Sequence, residues 1–197
     1  MTKDKLLKNI AMNSYNVGFG AKKNFASHDI VVKLPSWIGF ITLSIGILQL
    51  YYSVLGSNKE LSVLLILISV ASLYLSVFNS NIEKFEKEGV RETQIFNKLK
   101  NLYFTVKSES KNDFTEEINK MDEIMNEFYS ETITKQVFMS QWYAHYKFFY
   151  EMQIDWIDDE LKFNFFKDKI PNSLKHLLII ILILTVIYFS NEYFGNL

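Results

Sequence analysis

Long uncharged runs alternate with charged stretches along the chain. Between Lys33 and Lys59 lie 25 uncharged residues, and Leu61–Ile82 supplies another 22. A helix rising 1.5 Å per residue needs about 20 such residues to cross the hydrocarbon core of a bilayer, so both runs predict membrane spans. The connection GSNKE (56–60) is short enough to force an antiparallel hairpin. A third block, LLIIILILTVIYFSN (177–191), has 15 residues between His176 and Glu192. It reaches spanning length with Lys175 snorkelling at one end and Tyr193 and Phe194 in the interface at the other. It is read as a third span, with a buried or interfacial C-terminal helix as the alternative.

Polar residues interrupt the first two runs with a helical rhythm. In GFITLSIGILQLYYSVLG (39–56), Gly39, Thr42, Gly46, Gln49, Ser53 and Gly56 recur at steps of 3, 4, 3, 4 and 3, which is one stripe of a helix. On the returning run Ser62, Ser69, Ser72, Ser76 and Asn79 follow helical spacing, with Leu65 filling the gap. Two readings stand. Small residues let helices approach closely, and hydroxyl hydrogen bonds add modestly to that packing. Alternatively, several hairpins associate and turn one stripe toward a shared, transiently wet interior. Gln49 decides between them, because a midspan amide should not face lipid.

Outside the spans the period is that of amphipathic helices. Residues 81–106 leave the second run without a proline and place Ile82, Phe85, Phe96, Leu99, Tyr103 and Val106 on one seam, interrupted by Gly89 and Glu92. The second span is therefore expected to run on as a stalk. After SESKND (108–113), Asp113 and Glu116 have capping-box spacing. Phe114, Ile118, Met121, Met125 and Phe128 then form one helix face, and Phe138, Trp142, His145, Phe149, Met152 and Trp156 form another. The leader contributes Leu6, Ile10, Val17, Ala21 and Phe25, so a small helical bundle is expected. LKFNFFKDKIPNSLK (161–175) mixes phenylalanine with lysine, the chemistry of a membrane-surface segment. The expected fold is an all-α membrane protein: an amphipathic leader (1–33), a transmembrane hairpin (34–82), a helical bundle (83–173) and a C-terminal transmembrane helix (174–194).

Charge orients this plan. Of 21 Lys and Arg, six precede the first span and fourteen lie between Ile82 and His176, which the positive-inside rule assigns to the cytoplasm. The charged leader has no small-residue cleavage site behind a short n-region and is not expected to be a secretory signal. A net charge of −1 gives no basic field for nucleic acid, so no direct nucleic-acid binding is expected. The absence of cysteine excludes disulfides, thiolate catalysis and Cys-based zinc sites.

The search for catalysis is mostly negative. His28, His145 and His176 have no partner at ligand spacing. His145, on an apolar seam, is read as a packed histidine, with a sensing or catalytic role as the minority reading. GFGAKK (18–23) is superficially similar to a phosphate loop but lacks the four-residue gap and the following Ser or Thr. DWIDDE (155–160) reads as a solvated helix face, and the aromatic run 142–156 as core rather than a base-stacking platform. No enzyme, cofactor or metal is expected.

SYNVGFGAKKNFASHDI (14–30) before the first span, the tight hairpin, NIEKFEKEGVRETQIFNKL after it and FKDKIP (166–171) before the last hydrophobic helix together resemble the SLATT family of two-transmembrane effector domains. The third hydrophobic helix departs from the two-span plan. The resemblance implies a bacterial inner-membrane effector of antiphage immunity, homo-oligomeric in the bilayer, that breaches the membrane and arrests the infected cell. It also implies partners: a cyclic-oligonucleotide synthase, a SLOG-type nucleotide sensor or a neighbouring reverse transcriptase. It supplies no catalytic residues. The alternative is a non-catalytic membrane anchor that recruits a soluble partner through its bundle.

Overall fold

In the computed structural model, which describes residues 1–131 and 135–195 with side chains as far as Ser190, the apolar runs and amphipathic stretches all become helices. Helix α1 (Lys3–Tyr51) is a single element of 49 residues, about 74 Å long at 1.5 Å per residue. The leader and the first span are thus two halves of one helix. Pro35 lies inside it; its missing N–H forfeits the bond to the Val31 carbonyl, and the helix continues through it. Tyr52 turns extended, α2 (Ser53–Gly56) makes one further turn, and α3 (Lys59–Ser76) returns. Asn58 caps α3, its Oδ1 accepting the Leu61 N–H at 2.8 Å.

The expected unbroken stalk is interrupted. After Ser76 the backbone tightens to three-residue bonds, Phe78 N–H to the Leu75 carbonyl and Asn81 N–H to that of Phe78, and Asn79–Asn81 form a 3₁₀ turn. Asn and Ser in succession hold a helix poorly, and the break lets Phe78 turn inward, where it is buried with Val31, Leu75, Phe85 and Val137. Helix α4 (Ile82–Ser108) then lies along the first half of α1.

Helix α5 (Thr115–Ser130) follows, and here the capping box is not formed: Asp113 Oδ1 accepts from the backbone and hydroxyl of Thr115, not from Glu116. The expected continuous seam over 138–156 is divided between α6 (Ser140–Phe149) and α7 (Asp155–Leu161). Phe138, its first member, points outward, next to Met139, whose φ of 67° is left-handed. Leu6, Ile10 and Val17 from α1, Ile95, Leu99, Tyr103 and Val106 from α4, and Phe148, Trp156 and Ile157 from α6 and α7 fill the main core.

Helix α8 (Asn172–Gly195) stands apart. Its residues from Leu177 to Phe189 are exposed, and Trp142 Nε1, donating to Ser173 Oγ at 2.8 Å, ties its first turn to α6. Tyr193 and Phe194 lie outside the residues whose side chains are described. Helices α1, α3 and α8 are each long and apolar enough to cross a membrane, and almost nothing of their apolar stretches is buried within the protein. A surface of that kind is stable in lipid and not in water.

Candidate functional site

The hairpin answers where Gln49 points. Its Nε2 donates to Ser62 Oγ on the returning arm at 3.2 Å and to the Leu55 carbonyl at 3.2 Å. Ser62 Oγ in turn donates to the Asn58 carbonyl at 3.2 Å. The amide therefore faces its own hairpin partner. Gly56 makes the closure possible, since a Cβ there would stand 2.7 Å from the Gln49 carbonyl oxygen.

The stripe as a whole is divided. Thr42, Gly46, Gln49, Ser62 and Ser72 are half-buried, whereas Gly39, Ser53, Gly56, Ser69, Ser76 and Asn79 are exposed. Thr42, Ser69 and Ser76 hydroxyls donate to carbonyls of their own helices, at Ile38, Leu65 and Leu73. A Cβ added at Gly39 or Gly46 would meet nothing within 4 Å. Neither glycine is demanded by close packing among the described residues.

Beneath the hairpin, the bundle contains a polar network. Asn24 Nδ2 donates to Glu92 Oε2 at 2.9 Å, Gln136 Nε2 donates to Asn24 Oδ1 at 2.9 Å, and Ser27 Oγ donates to Gln136 Oε1 at 2.6 Å. Glu92 is only 5% exposed. Burial pushes its carboxyl up to about 7, with Glu88 adding to the rise and the Asn24 bond, Arg91 and Lys23 opposing it. Glycines make room: a Cβ at Gly20 would lie 2.9 Å from Glu92 Oε1, and one at Gly89 3.0 Å from the Phe25 ring. The two residues that interrupt the α4 seam in sequence are thus the contacts through which α1 crosses it. Val137, next to Gln136, packs in the cluster at the hairpin base, so the network joins bundle to hairpin. Alongside, Arg91 pairs with Glu88 and donates to the Glu127, Phe128 and Glu131 carbonyls at the end of α5.

The remaining sequence candidates are structural. Gly18 and Gly20 of GFGAKK sit in mid-helix, Gly18 against Phe96 and Phe148, with no loop to hold a phosphate. In DWIDDE, Asp158 pairs with Lys169 at 2.9 Å and Glu160 accepts from Tyr103 Oη at 2.8 Å. Among the described residues no group of acidic or histidine side chains could hold a metal ion. His145 lies edge-on to Phe19 and stacked on Phe149, and burial together with Lys175 lowers its pKa, favouring the neutral ring. The polar network has one trace in the sequence, a glutamate on an apolar seam; Asn24, Ser27 and Gln136 carry no such signal.

No curated protein and no solved structure gave a match to the chain. A family profile described as "SMODS and SLOG-associating 2TM effector domain 6" matches residues 1–178, which take in the leader, the hairpin and the bundle and stop as α8 begins. Its two-span description corresponds to the α1–α3 hairpin, and with three apolar helices open to their surroundings the protein is a membrane protein. The chain belongs to the family of SMODS and SLOG-associating 2TM effector domain 6.

Proposed function

We propose that the protein is a non-catalytic membrane effector of a bacterial antiphage conflict system. Copies associate through the outer face of the hairpin, perturb the inner membrane and arrest the infected cell. One observation supports this above the others: Gly39 is exposed, a Cβ at Gly39 or at half-buried Gly46 would meet nothing within 4 Å, and Ser69 and Ser76 are exposed on the other arm. Small residues on an open face let backbones of neighbouring helices approach closely. The bundle, held to the hairpin base through Gln136 and Val137, receives the signal from a nucleotide synthase, nucleotide sensor or reverse transcriptase. The lysine distribution supports a cytoplasmic bundle.

The test is the membrane potential of cells in which the system is triggered. Wild type is expected to depolarise the membrane. Gly39→Leu with Gly46→Leu is expected to abolish the effect while the protein stays membrane-inserted and helical. Growth arrest without any change in potential or dye uptake refutes the reading.

A second reading has its own support. Gln49 is satisfied within one hairpin, as an anchor requires. On that reading the spans hold a recruiting bundle at the membrane, and their replacement by unrelated spans preserves function.

A further inference from the structure

Phe165 and Phe166 are 51% and 74% exposed, their rings edge-on at 5.3 Å. They project from a turn that is held firmly. Asn164 Oδ1 accepts the N–H groups of Phe166 and Lys167 at 3.0 and 3.1 Å, and the Asn164 N–H donates to Asp168 Oδ2 at 2.8 Å. On one side Phe163 anchors the turn in the bundle, its ring 5.2 Å from those of Tyr15 and Phe149. On the other, Lys175 Nζ donates to the Lys167 carbonyl at 3.3 Å and to Asn172 Oδ1 at 2.9 Å, fixing the turn beside the first turn of α8. Two residues beyond Lys175 the uninterrupted apolar run of α8 begins.

This placement sets the depth of the turn. A lysine just ahead of a spanning run lies at the headgroup level, and whatever is bonded to it lies there too. Segment 161–175 carries four lysines against one aspartate. Lys169 is engaged with Asp158, but Lys162 and Lys167 are exposed, and no ion pair to either is found among the described residues. Exposed aromatic rings flanked by free lysines, continuous with a membrane helix, match the acyl-chain boundary and the phosphates above it.

We propose that the Phe163–Lys169 turn is an interfacial wedge. Phe165 and Phe166 insert below the headgroups of the leaflet that α8 enters, and Lys162 and Lys167 take anionic phospholipid phosphates. The proposal rests on α8 crossing the bilayer and extends the membrane contact from the spans to the bundle.

The chain has no cysteine, so single-cysteine labelling is clean. Full-length Phe166→Cys, Asp122→Cys on the exposed side of α5 and Leu182→Cys within α8 are labelled with an environment-sensitive fluorophore. They are reconstituted in phosphatidylcholine vesicles with and without phosphatidylglycerol. The label at 166 is expected to be blue-shifted and quenched by nitroxide-bearing lipid, that at 122 to be quenched by aqueous iodide, and that at 182 to read as membrane core. Phosphatidylglycerol is expected to deepen the shift at 166, and Lys162→Gln with Lys167→Gln to remove that increment. Iodide quenching at 166 equal to that at 122, with 182 still in lipid, overturns the wedge. Equal shifts in the two vesicle types overturn the role of the lysines. Iodide quenching at 182 overturns the span itself, and the wedge with it.

Discussion

Replacing Glu92 by glutamine keeps an oxygen to accept the Asn24 hydrogen bond and removes a charge that burial disfavours. The carboxyl stands at about 7 in the folded protein against 4.5 for the free side chain. That difference of about 2.5 pH units corresponds to about 3 kcal/mol. Because the folded value is the higher one, the native state binds the proton more tightly. The contribution of this one group to stability is therefore greatest below pH 4.5, declines as pH rises toward 7 and is flat beyond. Between pH 5 and pH 8 the loss is about 2–3 kcal/mol, or about 5–10 °C of melting temperature for a chain of this size. Trp156, buried in the bundle core beside Tyr103 and Phe96, reports the melt by its fluorescence in detergent-solubilised protein. Relative to Glu92→Gln, wild type is expected to lose that margin between pH 5 and pH 8. Glu92→Gln is expected to lack that loss, so that the gap between variant and wild type widens by it from pH 5 to pH 8, while the opposite contribution of His145, whose pKa is lowered, is common to both proteins. A gap between variant and wild type that stays constant from pH 5 to pH 8, or a variant less stable than wild type at pH 8, refutes the assignment of a desolvated carboxyl.

Arg91→Met strips the end of α5 of its donors and leaves Glu88, 6% exposed, without its cation. A cost of about 3 kcal/mol is expected, most of it recovered in the double variant with Glu88→Met, as read by thermal melting. Gly18→Val would set a Cβ 2.9 Å from the Phe96 ring and 3.1 Å from that of Phe148. Overpacking of about 1–3 kcal/mol is expected, measurable as a lowered melting temperature without loss of membrane insertion. Gly56→Ala must displace the Gln49 carbonyl and is expected to lower the melting temperature of the hairpin, whereas Gly39→Ala, with open space around it, leaves it unchanged.

The elements legible in the sequence were those that one periodic signal dictates. Uncharged length located three helices long and apolar enough to span, because lipid admits only helices whose backbone is satisfied internally. The seam through Phe96, Leu99, Tyr103 and Val106 located α4's buried face, because its 3.6-residue period is local information. What escaped depends on contacts between distant segments. Phe138 shares the period of Trp142 and His145, yet the left-handed backbone at Met139 turns it outward. Ser76 and Asn79 continue a helical rhythm across a break, at which Phe78 turns into the cluster at the hairpin base. At the candidate site, the stripe was legible as a spacing but not as two faces. Only the orientation of α3 shows that Gln49 meets Ser62 while Gly39 meets nothing. The buried network was least legible, because Asn24 and Gln136 are 112 residues apart and neither is unusual where it stands.

The unbroken course of α1 ties two azimuths together. The side of its first half that faces α4 and the side of its second half that carries Gln49 belong to one helical phase, set by the 100° advance of each residue. Because α1 is continuous through Pro35, the azimuth of its apolar half is fixed relative to the face that packs on α4. The α1–α3 seam is thereby geared to the core below: one residue inserted near Pro35 turns the Gln49 face by about 100°, whereas four restore it to within about 40°.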